Sequence, residues 1–168
     1  MMRLAFSCLL ALLFTGCASY QLGPTNGTTA GERSIEVQFF QNKTGEPRLI
    51  EAVTASLRKT LQQDGTYKLD TRGESDVIVT GTLIKYQRGG VTFQPSDVRT
   101  VRDYNVTLSA HVVARERSSG KVVLDRVISG RTTLRAGSDL ASAERQSLPN
   151  LAEDLARNIT TYLVDGTW

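Results

Sequence analysis

The chain has 168 residues, which suits one domain of ordinary size. Its 20 Lys and Arg against 17 Asp and Glu give a formal charge of +3, too near neutrality to argue for a nucleic-acid partner. One histidine and two cysteines leave little from which to build a metal centre.

Residues 4 to 14, Leu-Ala-Phe-Ser-Cys-Leu-Leu-Ala-Leu-Leu-Phe, form an apolar run preceded by Arg3 and followed by small residues. The run is short of the roughly 20 apolar residues that span a bilayer. It fits a secretory signal over residues 1 to 16, with Arg3 as its positive n-region. The segment ends Phe14-Thr15-Gly16-Cys17. Bacterial lipoprotein signals have this form: small residues for the peptidase, then a thiol that takes a diacylglyceryl group. Phe14 departs from the usual Leu. The alternative is cleavage after Ala18, which would give a soluble periplasmic protein. Cysteine usage favours lipidation. Cys8 is lost with the signal, so Cys17 stands alone, and acylation accounts for an otherwise unpaired thiol in an exported chain. Ala18, rather than Asp, follows the cysteine and favours the outer membrane.

Residues 17–33 are then a lipidated cysteine and a Gly- and Thr-rich tether, a coil spanning on the order of 20 Å. Residues 34–168 form one domain. Ile35, Val37 and Phe39 alternate with polar residues and predict a strand. Asn42 to Pro47 is turn chemistry, with Pro47 suited to a first helical position. Leu49, Val53, Leu57 and Leu61 recur every four residues and predict an amphipathic helix to Gln63, stopped by Asp64-Gly65. Tyr67 and Leu69 make a short strand. Asp76 to Arg88 is β-rich and apolar on both faces at its start, as a central strand would be. Gly89-Gly90 and Pro95-Ser96 bracket an expected loop. Tyr104, Val106, Leu108, Ala110, Val112 and Ala114 line one face of the clearest strand. Ser118-Ser119-Gly120 turns the chain, and Val122, Leu124, Ile128 and Leu134 follow at even spacing. These two strands should pair as an antiparallel hairpin with one wet face. Ser138 to Leu163 is helical, capped by Asp139 or Ser138, and Pro149 should break or kink it. Leu148, Ala152, Leu155, Ile159 and Tyr162 line one side. The expected fold is α+β, with two helices on one face of a mixed four- to five-stranded sheet in the order β-α-β-β-β-β-α.

Chemistry-bearing motifs are sparse. His111 falls on the polar strand face, as a solvated residue would. No serine sits in a Gly-x-Ser-x-Gly elbow and no glycine-rich phosphate loop opens a helix, so no enzyme, metal or cofactor is expected. One cluster stands out. Lys85, Arg88, Arg99 and Arg102 flank the expected Gly89 to Asp97 loop, with Tyr86 and Phe93 nearby. Arginine forks match phosphate bidentately, so the cluster is a candidate site for an anionic lipid headgroup. The alternative is a solvated strand end, partly neutralised by Asp97 and Asp103.

Ile35-Glu-Val-Gln-Phe-Phe-Gln-Asn-Lys-Thr-Gly-Glu-Pro, running into a helix ending Leu57-Arg-Lys-Thr-Leu61, resembles the lipopolysaccharide-assembly lipoprotein family LptE. So do the Cys17-Ala-Ser-Tyr-Gln-Leu start, the strand Asp76-Val-Ile-Val-Thr-Gly-Thr-Leu, and the amphipathic end Leu151-Ala-Glu-Asp-Leu-Ala-Arg-Asn-Ile. The likeness spans nearly the whole mature chain and rests on order and spacing. It implies a two-helix, mixed-sheet domain, lipid-anchored at the outer membrane, that plugs and helps assemble the LptD barrel and binds lipopolysaccharide through basic residues. The basic cluster above is an independent reading and is not carried over from the family. A second reading is a regulatory lipoprotein activating a cell-wall synthase or resembling a CsgG-like secretion component. Such proteins share the lipidated start, strand, Asn-containing turn and helix, but generally have a longer tether.

Overall fold

The computed structural model describes residues 30–94, 97–135 and 139–166, with the backbone alone for residues 92–94 and 97–102. The signal segment, Cys17, most of the tether, Pro95-Ser96 and Ser138 lie outside these residues. The elements are β1 (Arg33–Val37), β2 (Gln41–Asn42), α1 (Leu49–Asp64), β3 (Tyr67–Leu69), β4 (Val77–Gln94), β5 (Asp97–Glu116), β6 (Val122–Arg135) and α2 (Leu140–Val164). The strands make one mixed sheet in the order β3-β1-β4-β5-β6. β1 is parallel to both β3 and β4, while β4, β5 and β6 are antiparallel neighbours. The expected α+β order is present, with the two-residue β2 added beside β4.

Both helices cover one face. Ile35 and Val37, Val77, Val79 and Leu83, and Val106 to Ala114 at every second position are buried against Leu49, Val53, Leu57 and Leu61 of α1 and Leu151, Leu155 and Ile159 of α2. The period of two in the strands and of about 3.6 in the helices produces this single seam. β4 is central, as its doubly apolar start predicts. Two glycines set how closely the layers approach. A Cβ on Gly130 of β6 would lie 2.4 Å from the Leu155 backbone nitrogen, so α2 sits directly on the strand. A Cβ on Gly81 would lie 2.3 Å from the ring of Phe40, which the β1–β2 connection folds into the core.

Four expectations are corrected. Pro47 precedes α1, which begins at Leu49. The Asn42 side chain accepts from the Thr44 N–H and donates to the Glu46 carbonyl, and this turn absorbs Pro47. Pro149 does not break α2, which runs on to Val164. Pro149 and Arg145, whose carbonyl loses its partner, are both exposed, so water can serve that carbonyl. Tyr162 is half-exposed, and Leu163 takes the inward position one turn beyond Ile159. Finally, Gly89-Gly90 does not open a loop. Both glycines lie in β4, neither with positive φ, and Gly90 pairs with Tyr104. The strands continue to Gln94 and Asp97, so two residues rather than a long loop connect them, with register shifts beyond Gly90. Caps follow sequence chemistry. Asp139 accepts from the Ser142 N–H, and Gly65, at φ 76°, ends α1 in the left-handed region.

Candidate functional site

The helices leave the other sheet face open. Register places Thr82, His111 and Val127 in one row across β4, β5 and β6, and Lys85, Ser109 and Ser129 in another. Gln87, Thr107 and Arg131 form a third row, and Gly89, Asn105 and Thr133 a fourth. Short polar side chains dominate and bond to one another across strands. The hydroxyls of Ser109 and Ser129 meet at 2.8 Å, Thr133 Oγ1 donates to Asn105 Oδ1 at 3.0 Å, and His111 Nε2 lies 2.6 Å from Asp125 Oδ1. His111 is thus held by its cross-strand diagonal neighbour on a solvated face. The surface is rich in hydroxyls, carries Lys85 and Arg131 in its rows and the Asp103–Arg135 ion pair at its end, and has Val127 exposed on its edge strand.

The four basic residues singled out from sequence do not all share a face. A bulge between Leu83 and Lys85 resets the alternation of β4. Lys85 then sits opposite Ser109 on the open face, whereas Tyr86 and Arg88 sit opposite Leu108 and Val106 on the helix face. Arg88 turns onto α2. Its Nη1 lies 2.6 Å from Glu144 Oε2, and its guanidinium is 5.5 Å from the centre of the Tyr104 ring. The Tyr86 hydroxyl donates to the other oxygen of Glu144. Burial, then the Glu144 carboxylate, push this phenol well above its usual range, so it stays a donor at neutral pH. Arg99 and Arg102 lie in β5, where only the backbone is described. The period of two could have separated Lys85 from Arg88 in advance. Nothing local could have pointed to Glu144, 56 residues away.

At the end of the sheet where β1 enters, ion pairs and caps close the structure. Arg33 pairs with Glu116, and Arg117 with Glu36. Asp76 accepts from the Ser34 hydroxyl and N–H, which holds its carboxyl below the usual range. Among the described residues no group of three or more His, Cys, Asp or Glu could hold a metal ion, and no helix is long and apolar enough to cross a membrane.

Comparison with known proteins agrees with this architecture. The family model described as "LptE: Lipopolysaccharide-assembly" matches residues 32–163. Solved structures of the same fold include a protein of Xanthomonas campestris (TM-score 0.61, 9% identity, 88% of this chain and 93% of that one). A hypothetical protein of Chlamydia trachomatis (TM-score 0.58, 8% identity, 82% and 98%) and a minor lipoprotein of Acinetobacter baumannii (TM-score 0.52, 13% identity, 79% and 93%) are also similar. At these identities the likeness is one of fold. No match was found among curated proteins.

Proposed function

The chain belongs to the LptE lipopolysaccharide-assembly family, and from that premise we propose that it is a lipid-anchored, non-enzymatic subunit of the outer-membrane lipopolysaccharide translocon. In this role the domain plugs an LptD-like barrel and assists its assembly, while Cys17 carries the acyl chains and the residues between it and β1 tether the domain to the membrane. The observation that carries the reading is the helix-free sheet face. Its rows of Thr, Ser, Asn and Gln suit the polar interior of a wide transmembrane barrel, whose lumen-facing side chains are themselves polar. A short tether keeps that face at high effective concentration beside a barrel in the same membrane. Lipopolysaccharide is the proposed ligand of the β4–β5 hairpin, with Arg88, joined by Arg99 and Arg102 of β5, meeting its phosphates, whereas Lys85 lies on the other face of the sheet. Affinity purification of the tagged chain from detergent-solubilised outer membrane tests the role. A large β-barrel should co-purify. Recovery of a cell-wall synthase and no barrel would sink the reading.

A further inference from the structure

We propose that Glu144 is an internal competitor at Arg88: it occupies the anion-binding position at the base of the β4–β5 arm and is displaced when a phosphorylated lipid docks there. The proposal rests on the lipopolysaccharide reading above. Arg88 and Tyr86 stand two residues apart on one face of β4, and each donates to one oxygen of the same carboxylate. The Tyr104 ring lies under the guanidinium and steadies its orientation. This is a preformed donor set for a tetrahedral oxyanion, with a carboxylate standing in it.

A phosphate monoester offers three acceptor oxygens and a charge of roughly −1.5 to −2, against −1 for Glu144, so it can take both donors with a stronger field. The pair is reachable. The Arg88 side chain is 37% exposed and that of Glu144 22%, so the carboxylate has a path into solvent. Glu144 sits in the second turn of α2, and the first turn carries no acidic residue. The positive end of the helix is already taken by the Asp139 carboxylate, which accepts from the Ser142 N–H, so Arg88 and Tyr86 are what hold the incoming anion. The consequence is selectivity. Weak or singly charged anions do not dislodge Glu144, whereas a phosphorylated headgroup held by further contacts does. Lys85, on the opposite face, takes no part.

Glu144→Gln keeps an acceptor for Tyr86 and removes the competing charge. In the full chain it should tighten binding of lipopolysaccharide micelles by about fivefold, the scale of one partly exposed ion pair. Binding of phosphatase-treated lipopolysaccharide should not change. Arg88→Gln should weaken binding of the phosphorylated form and cancel the gain in the double variant. The Arg88 side-chain N–H resonance, followed by NMR during titration with inorganic phosphate, gives an independent reading. It should shift in Glu144→Gln at concentrations that leave the wild type unmoved. A folded Glu144→Gln protein that binds no tighter than wild type, with Arg88 silent to phosphate in both, would overturn the competitor even where lipopolysaccharide binds. If Arg88 responds to phosphate but no variant binds lipopolysaccharide, the competitor stands and the lipopolysaccharide reading falls.

Discussion

On one side of β5, Val106, Leu108, Ala110, Val112 and Ala114 are fully buried beneath the helices, while on the other side Thr107, Ser109, His111 and Val113 remain partly exposed. The same strand thus serves two environments. The helix face is closed by backbone-to-backbone approach at Gly130, where no flexible group can yield. The open face is held by cross-strand hydrogen bonds between short side chains and leaves its outer surface free. Stability is concentrated on the first face, and the second is available for recognition.

Substitutions should separate the two faces sharply. Gly130→Ala forces a methyl into the backbone of Leu155 and should cost about 3 kcal/mol, seen as a lower denaturation midpoint. Leu155→Ala, on the same seam, should cost roughly 3 kcal/mol through the cavity left behind. A loss below 1 kcal/mol for both would mean that α2 does not sit directly on β6. The seam also carries a defect. The hydroxyls of Thr54 and Thr160 are buried without a partner among the described residues. Thr160→Val should therefore stabilise by about 1 kcal/mol, and a loss of stability would show that the hydroxyl is satisfied in solution. On the open face, Ser109→Ala should change stability by no more than about 0.5 kcal/mol.

The pH response belongs to the sheet end rather than to either face. Asp76 is held below its usual range by the Ser34 hydroxyl and N–H, and Glu116 by the Ser119 hydroxyl and Arg33. Because the folded values lie below the unfolded ones, this contribution is present above the unfolded carboxylate range and is lost as pH falls through the folded values. Acid titration should show stability declining below about pH 4, with a shallower decline in Asp76→Asn. Tyr67 acts at the other extreme. Burial pushes its phenol up to about 12, so its contribution persists at neutral pH and is lost as pH climbs from about 10 towards 12.

Much of the helix face was legible in sequence, because burial imposes a period. Leu49, Val53, Leu57 and Leu61 declared α1, and the alternation from Tyr104 to Ala114 declared β5. The failures have local causes. Tyr162 missed the core because i+3 and i+4 are both one turn on, and only packing decided for Leu163. Gly89-Gly90 reads as a turn, yet glycine also tolerates extended backbone, and ladder pairing with Asn105 and Tyr104 prevailed. Of the basic cluster, the sequence did not indicate the bulge after Leu83, which puts Lys85 on the open face, or the reach of Glu144 from α2 to Arg88; both are tertiary facts with no local signal. The open face was legible too, because the expectation of both helices on one sheet face and of a hairpin with one wet face leaves the other side uncovered, as the structure has it.

The proposed role is tested most directly by placing tryptophan at Thr107 and Ser109 and measuring barrel recovery in the affinity purification. Both positions lie at the centre of the open face and outside the core, so the melting temperature should stay near that of the wild type. Co-purification of the outer-membrane barrel should be lost. A folded double variant that still recovers the barrel in full would contradict docking through this face.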